Sequence, residues 1–228
     1  MSARIKICGL RDVQTVELLD GLPIREIGLV FAPSKRQVDK ETAARLVRAI
    51  RKLTTAYGAS PRAVGVFVNA SLKEIDELME EAPLDVAQLH GDESPEFCAQ
   101  LRLNHPELHI WRVLSMKGKG DISDEPLLAN EAKESVEPYS GLVDAILIDA
   151  PGGGTGQPFN WSLIDAYKKA AAAKGLPLYV AGGLTPDNVQ ELLRTYAPDG
   201  IDVSSGVETE GQKDIEKIRL FVRRVMEA

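Results

Sequence analysis

The chain has 228 residues, of which 44% are hydrophobic and 27% are charged, so it is long enough and apolar enough to bury a sizeable core. This composition excludes a disordered or a collagen-like protein. Because 34 Asp and Glu residues outnumber 27 Lys and Arg residues, the formal net charge is −7, which argues against nucleic acid or an anionic membrane surface as a partner. Any anionic ligand must therefore be bound by local features.

The two cysteines, Cys8 and Cys98, are too few for a disulfide framework, and no Cys/His cluster has the spacing of a zinc site. The N-terminus has no apolar stretch long enough for a signal peptide. The longest uncharged run, residues 150–164, is Gly-rich and partly polar, whereas a membrane span needs about 20 mostly apolar residues. We therefore expect a cytoplasmic protein without a metal site or a membrane partner.

Short apolar runs rich in β-branched residues alternate with amphipathic segments along the whole chain. Helical segments between the runs show apolar faces with a spacing of three and four residues. The predicted strands are residues 4–9, 26–31, 62–69, 86–91, 109–116, 145–150, 177–183 and 200–207.

Several helix starts are visible in the sequence. Ser71 and Glu74 have the spacing of a capping box, and Pro95 and Pro186 are predicted to occupy first helical positions. Residues 117–126 are polar and are predicted to form a loop.

Eight alternations of strand and helix predict a parallel sheet, because parallel strands need crossover connections. With 228 residues the units are short, about 28 residues each, which favours a compact (β/α)₈ TIM barrel, an α/β fold. A doubly wound open sheet is the alternative, but no G-x-G-x-x-G motif follows the first strand. No linker or composition break divides the chain, so residues 1–228 are predicted to form a single domain.

Enzymes with this fold carry their chemistry at the carboxyl ends of the strands. Because side chains alternate along a strand, Ile5 and Ile7 are predicted to face the outer helices. Lys6 and Cys8 then point into the barrel, with Cys8 at its mouth. A lysine inside a barrel needs a partner, and Asp202 on the closing strand can supply it.

Further polar residues fall at other strand ends. Gln88 and His90 share a face of the fourth strand, and Asp149 ends the sixth. His90 is equally consistent with a hydrogen-bonded structural group. An Asp at a strand end often caps a turn, but the Gly-rich loop after Asp149 suits a ligand better. Cys98, on a helix face, is predicted to be a small buried apolar residue.

Glycine-rich segments follow the sixth, seventh and eighth strands. They are residues 152–156, the pair Gly182 and Gly183, and the pair Ser205 and Gly206. Glycine lets backbone N–H groups approach an anion closely, and the loops after strands seven and eight commonly bind phosphate in this fold. A phosphate-bearing substrate is therefore predicted.

A series of motifs resembles those of a known family. It comprises residues 6–10 (KICGL), 28–31 (GLVF), 88–93 (QLHGDE), 153–156 (GGTG), 181–184 (AGGL) and 202–208 (DVSSGVE). In this order they closely resemble the phosphoribosylanthranilate isomerases of tryptophan biosynthesis. The resemblance extends from the first strand to the last helix, and the combination of motifs is highly specific.

The resemblance implies an Amadori rearrangement of a phosphoribosyl arylamine, without metal or cofactor. It implies that Asp149 is the general acid that opens the furanose ring and that Cys8 is the general base. Arg36 would bind the carboxylate of the anthranilate, and Gln88, His90 and Asp202 would contact the substrate. The phosphate would be bound by Gly154, Gly156, Gly182, Gly183, Ser205 and Gly206.

The sequence departs from the family pattern at three places. Gln157 stands where Lys is common, Asn160 replaces an Asp, and residues 10–12 read Leu-Arg-Asp instead of Leu-Thr-Arg. No role is therefore assigned to Arg11. Another phosphosugar barrel, such as an epimerase or a synthase, and a non-catalytic phosphosugar-binding barrel are the alternatives, and the chain can be a monomer or a homodimer.

A cysteine base must be partly ionised near neutral pH, and a nearby cation favours the thiolate. Lys6 lies two residues before Cys8 on the same face, roughly 6 to 7 Å along the strand. We therefore expect Lys6 to raise the thiolate fraction of Cys8.

Overall fold

Eight parallel strands pair in chain order, and the last pairs with the first to close a barrel. This topology, in a computed structural model that describes residues 3–116, 125–149 and 161–228, confirms the predicted (β/α)₈ fold. The strands are β1 Arg4–Cys8, β2 Glu26–Val30, β3 Arg62–Phe67, β4 Val86–Leu89, β5 His109–Ser115, β6 Ala145–Asp149, β7 Leu178–Ala181 and β8 Gly200–Val203. The helices are α1 Val13–Glu17, α2 Lys40–Ile50, α3 Leu72–Glu81, α4 Pro95–Asn104, α5 Glu125–Val136, α6 Leu163–Ala172, α7 Val189–Tyr196 and α8 Ile215–Met226.

Local capping chemistry fixes the start of α3 and of α4, as predicted. The Ser71 and Glu74 side chains each accept a hydrogen bond from the other residue's backbone N–H, which completes a capping box before α3. The Ser94 hydroxyl caps α4, and Pro95 occupies its first turn, where a missing N–H costs nothing.

The prediction that Pro186 begins a helix is wrong, since α7 begins at Val189. The Asn188 side chain accepts a hydrogen bond from the Thr185 N–H at 2.8 Å and donates to the Gly183 carbonyl at 2.8 Å. These bonds close a turn over the residues that precede the helix, because an Asn side chain competes with the backbone for local partners.

The strands end earlier than predicted where the backbone takes a left-handed conformation. Gly9 (φ +85°) follows β1, and Gly182 (φ +89°) follows β7. The last predicted strand stops at Val203, and its remaining residues form a 3₁₀ turn over Ser205–Val207. A short hairpin that was not predicted then follows, with strands β9 Glu208–Thr209 and β10 Gln212–Lys213.

The polar segment 117–126 was predicted to be a loop. Residues 117–124 lie outside the described residues, but the final two belong to the first turn of α5, so the prediction is wrong there.

Two apolar cores flank the strands, as the alternation of side chains requires. Ile5 and Ile7 are fully buried in the larger core, between the sheet and the helices. The smaller core fills the barrel and consists of Val64, Val86, Trp111, Val113, Ala145, Leu147, Tyr179 and Ala181.

A polar cluster closes the amino-terminal end of the barrel. Glu26, which is buried, accepts hydrogen bonds from Arg62 Nη2 at 2.6 Å and from the Tyr179 hydroxyl at 3.2 Å. The Trp111 and Tyr179 rings lie above this layer with centroids 4.3 Å apart. These side chains fill the lower part of the barrel interior.

Within the described segments, no helix is long and apolar enough to cross a membrane.

Trp111→Ala is expected to lower the free energy of unfolding by about 3–5 kcal/mol, because it removes a large side chain from the centre of the barrel core. Urea denaturation followed by circular dichroism measures this loss. Leu103→Ala on α4 is the control, since that side chain is 73% exposed and should matter by less than about 0.5 kcal/mol. Equal losses in the two variants would contradict a filled barrel interior.

Candidate active site

A cavity of about 280 Å³ opens at the carboxyl ends of the strands, where the fold places catalytic sites. It is lined by side chains or backbone from seven of the eight strands or the loops that follow them. Most of the residues predicted to form the site line it together, namely Cys8, Arg36, Gln88, His90, Asp149, Gly182, Gly183, Asp202 and Ser205. Gly154 and Gly156 lie outside the described residues.

Within the described part of the chain, Gly206 does not line the cavity. An ideal Cβ at this position would lie 1.8 Å from the Leu184 carbonyl oxygen. Its missing side chain therefore lets the loop after β8 pack against the loop after β7. Gly206 shapes the wall from behind, whereas Ser205 faces the cavity.

Lys6 and Cys8 point into the barrel, as the sequence predicts. Lys6 is fully buried, and its Nζ donates to Asp202 Oδ2 at 2.8 Å. Lys6 and Asp202 occupy matched positions on the paired strands β1 and β8, so the predicted ion pair is confirmed. It brings a buried positive charge beneath the Cys8 thiol.

Gly28 provides the space in which Cys8 and Lys6 meet. It is the register partner of Cys8 on β2. An ideal Cβ at Gly28 would lie 2.7 Å from Cys8 Sγ and 3.1 Å from Lys6 Nζ. A side chain at this position would therefore displace both groups.

Opposing effects set the protonation of this cluster. Burial raises the pKa of the Cys8 thiol above its ordinary value, while Lys6 acts in the opposite direction, as predicted. Burial would lower the pKa of Lys6, but the charges of Asp202 and Cys8 and the hydrogen bonds to both residues together outweigh it, so the pKa of Lys6 is raised and the ammonium persists. Cys8 is thus a mostly protonated thiol near neutral pH whose thiolate form is favoured by an adjacent, permanently charged lysine.

Across the cavity, His90 and Asp149 lie side by side, with His90 Nε2 3.4 Å from Asp149 Oδ2. Burial lowers the pKa of His90, so the imidazole is neutral at pH 7. Asp149 is the last residue of β6 and is 5% exposed. A carboxyl group on the sixth strand therefore faces the same space as the thiol on the first.

At the cavity, two buried acceptor atoms have no hydrogen-bond partner among the described residues, Gln88 Oε1 and Asp202 Oδ1. Both residues line the cavity. Buried polar atoms are costly to leave unpaired, so these oxygens are suited to accept hydrogen bonds from a ligand.

The wall formed by the ends of β2 and β3 and the loops that follow them is mainly apolar. Val30, Ala32, Pro33, Val66 and Val68 line the cavity there, and Val68 is 44% exposed. The opposite wall consists of the glycine-containing loops after β7 and β8. A ligand in this cavity therefore meets one apolar side and one side rich in backbone groups.

Arg36 reaches the apolar side from the loop after β2. Its Nε and Nη2 donate to the two oxygens of Glu208, at 2.6 and 2.9 Å. Lys213 Nζ donates to Glu208 Oε1 at 2.7 Å. The sequence motif contains Glu208, but no role was predicted for it or for Lys213, because Arg36, the partner that gives Glu208 its role, lies 172 residues from it.

Glu93 organises the loop that carries His90 and was also missed. Its carboxylate accepts hydrogen bonds from the backbone N–H groups of Asn69 and Gly91, both at 2.8 Å. Arg112 on β5 donates to Glu93 at 3.0 Å and to the carbonyls of Leu89, the last residue of β4, and of Gly91 in the loop. The acidic end of the QLHGDE motif was the available signal.

Arg11, to which the sequence assigned no role, connects three loops. Its Nη1 donates to the Lys35 carbonyl at 2.7 Å, and its Nη2 donates to the Gly211 carbonyl at 3.2 Å and to Gln212 Oε1 at 2.7 Å. The loops after β1 and β2 are thereby joined to the hairpin of β9 and β10.

In residues 3–116, 125–149 and 161–228, no group of three or more His, Cys, Asp or Glu side chains is arranged to hold a metal ion.

Comparison with known proteins identifies a family for this chain. Residues 5–224 match the model of a family described as N-(5'phosphoribosyl)anthranilate (PRA) isomerase. An N-(5'-phosphoribosyl)anthranilate isomerase from Brevibacillus brevis is 43% identical over 226 residues, which cover 97% of this chain and 93% of the relative.

Solved structures agree. Monomers of the dimeric phosphoribosylanthranilate isomerase from Thermotoga maritima superpose with a TM-score of 0.78 at 27% identity, covering 99% of this chain and 100% of that one. A phosphoribosyl anthranilate isomerase in complex with reduced 1-(o-carboxyphenylamino)-1-deoxyribulose 5-phosphate gives a TM-score of 0.75 at 27% identity, with the same coverage.

Lys6→Met is expected to move the pH dependence of Cys8 alkylation to higher pH, because it removes the cation that favours the thiolate. The rate of reaction with iodoacetamide is measured against pH in a Cys98→Ala background, so that Cys8 is the only thiol. Lys52→Met, a substitution of an exposed lysine, is the matched control. An unchanged alkylation profile in Lys6→Met would rule out this effect.

Proposed function

The chain belongs to the N-(5'-phosphoribosyl)anthranilate isomerase family of tryptophan biosynthesis, and on that premise we propose a specific reaction and mechanism for it. It converts N-(5-phosphoribosyl)anthranilate to 1-(2-carboxyphenylamino)-1-deoxyribulose 5-phosphate, as a cofactor-independent aldose–ketose isomerase of the cytoplasm formed by one barrel domain. The observation that carries the proposal is that Cys8 and Asp149, from strands β1 and β6, face one cavity.

Asp149 acts first, as the general acid. Its carboxyl proton passes to the furanose ring oxygen as the bond between that oxygen and C1′ breaks. The nitrogen lone pair forms the C1′–N double bond, so the ring opens to a protonated Schiff base. The position of Asp149 at a strand end, 95% buried and beside a neutral imidazole, supports a carboxyl group that exchanges a proton with a ligand.

Cys8 then acts as the general base. Its thiolate removes the proton from C2′, and the electrons of that C–H bond form the C1′–C2′ double bond of an enolamine. The enolamine becomes the product when its C2′ hydroxyl loses a proton and C1′ gains one, so C2′ is oxidised to a ketone and C1′ is reduced. Lys6 supports this step by favouring the thiolate.

The two walls of the cavity support one orientation of the substrate. The aryl ring would pack on the apolar side near Val66, with its carboxylate toward the Arg36 guanidinium. The phosphate would lie at the opposite side, against the backbone of Gly182, Gly183 and Ser205. This places the ribose between the two walls, where Cys8 and Asp149 face the cavity.

Other groups complete the binding site in this proposal. The unpaired oxygens of Gln88 and Asp202 accept hydrogen bonds from ribose hydroxyls. His90 holds Asp149 in position at the ring oxygen. Gly154, Gly156 and Gly206 add to the phosphate site, Gly206 through the position it gives to Ser205. The bound product analogue of the solved relative has the same three parts, a carboxyphenyl ring, a sugar chain and a phosphate.

Cys8→Ser and Asp149→Asn are each expected to lower kcat by about 10²- to 10⁴-fold, because each removes a proton-transfer group. The loss of anthranilate fluorescence is followed with phosphoribosylanthranilate generated in situ in the presence of EDTA. Cys98→Ser is the matched control and should retain full activity, since Cys98 is buried on α4, away from the cavity. Near-normal turnover by Cys8→Ser or Asp149→Asn would refute the assignment of that residue.

The residual activity of Asp149→Asn, which no longer depends on a protonated carboxyl group at position 149, is expected to rise between pH 7 and pH 9. The pKa of the Cys8 thiol lies above its ordinary value because of burial, so the fraction of active thiolate keeps increasing with pH across this range. The pH profile of kcat/KM measures this, with circular dichroism at each pH to confirm that the protein stays folded. A flat profile across the range would show that thiolate formation does not limit the reaction.

A further inference from the structure

The Arg36 guanidinium has two edges that can each bind a carboxylate, and Glu208 occupies one of them. The side edge, formed by Nε and Nη2, donates two hydrogen bonds to Glu208. Among the residues that the structure describes, the end edge, formed by Nη1 and the second hydrogen of Nη2, has no hydrogen-bond partner and can bind another acceptor. Because a guanidinium is planar and rigid, fixing the side edge also fixes the direction of the end edge.

Glu208 is itself held firmly. Its side chain is 6% exposed, and besides Arg36 it binds Lys213 Nζ at 2.7 Å and faces Lys35 Nζ at 3.7 Å. Lys213 also donates to the Ser204 carbonyl at 2.9 Å, so this lysine is anchored to the end of β8. Burial would raise the pKa of Glu208, but hydrogen bonds from Arg36 and Lys213 outweigh it and lower that pKa to about 2.

The route of the Arg36 side chain is also fixed. It crosses the backbone at Gly9, where an ideal Cβ would lie 2.6 Å from Arg36 Cδ. Gly9 has φ of +85°, which other residues rarely adopt. Glu208 at the head of the side chain and Gly9 beneath its stem therefore define one position for a guanidinium that lines the cavity.

We propose that Glu208 is a positioning residue that holds Arg36 by its side edge and so directs its end edge at the carboxylate of the substrate. Glu208 thereby determines the preference of the site for arylamines that carry a ring carboxylate. This inference rests on the proposed function, in which Arg36 binds that carboxylate. If Glu208 instead competed with the substrate for Arg36, removal of Glu208 would strengthen the binding of the substrate carboxylate.

The test compares two ligands that differ only in the ring carboxylate. They are reduced 1-(o-carboxyphenylamino)-1-deoxyribulose 5-phosphate and its analogue with an unsubstituted phenyl ring, and calorimetry gives the Kd of each. We expect the unmodified protein to prefer the carboxylate ligand by roughly tenfold or more, as charge-assisted hydrogen bonds allow. In Glu208→Gln this preference falls to about twofold, while the Kd of the phenyl analogue changes less than about twofold.

Glu210→Gln is the matched control, because it makes the same change of charge in the same hairpin at an exposed residue. It should leave the preference unchanged. In turnover, Glu208→Gln should raise KM with little change in kcat and without moving the pH profile assigned to Cys8. Glu208→Asp, which keeps the charge, should recover part of the preference.

Tighter binding of the carboxylate ligand by Glu208→Gln would show competition and overturn the proposal, as would an unchanged preference. If Glu208→Gln does not fold, the NMR signal of Arg36 Nε–H in the unmodified protein decides. If this proton stays protected from exchange with solvent when the ligand binds, the contact with Glu208 is retained and the proposal is supported. Loss of protection overturns the proposal. If the unmodified protein and Arg36→Met prefer the carboxylate ligand over the phenyl analogue equally, the proposed role of Arg36 itself is wrong.

Discussion

The ion pair between Lys6 and Asp202 joins the closure of the barrel to the chemistry of its site. It links the first strand to the last at matched register positions, and both residues are almost completely buried. A buried charge that loses its partner costs about 3–5 kcal/mol, so this contact strongly favours one register at the seam. The same ammonium lies beneath Cys8, and therefore the seam cannot shift without moving the charge that favours the thiolate.

Charged residues outside the proton-transfer pair hold the other functional groups of the cavity in position. Arg112 and Glu93 fix the loop that carries His90, and Glu208 fixes Arg36. Arg112 and Glu93 form a neutral pair, and the cluster of Arg36, Lys213 and Glu208 has one more cation than anions, in a chain with a net charge of −7. An anionic ligand is therefore attracted at short range, by the few N–H groups that these pairs leave available.

The inward-facing part of the site could be predicted because it follows from strand alternation. Once residues 4–9 are a strand, the directions of Lys6 and Cys8 follow, and the pairing of Lys6 with Asp202 needs only the closure of the barrel. Cys98 was likewise predicted to be a buried apolar residue. It is fully buried, and burial raises the pKa of its thiol to about 11.

The parts that were missed depend on loop geometry, which has no period. The missed contacts each join two separate segments of the chain. They are made by Glu208, Arg112 and Arg11, and Arg36, for example, is 172 positions from its partner Glu208. No sequence pattern brings such residues together, because the loops take their positions only after the barrel has formed. The start of α7 was missed for a local reason, since the Asn188 side chain favours a turn where Pro186 alone indicates a helix.

Arg11 links three separate segments at the rim of the barrel. Its three hydrogen bonds join a residue near the amino-terminus to the loop after β2 and to the hairpin near the carboxy-terminus. These loops therefore form one linked frame around the mouth. Exchange of the loop after β1 for a loop of another barrel would remove Arg11 and release the other two segments, and exchange of either of those would leave part of the Arg11 guanidinium without its partner. A transplant at this rim therefore has to carry all three segments together.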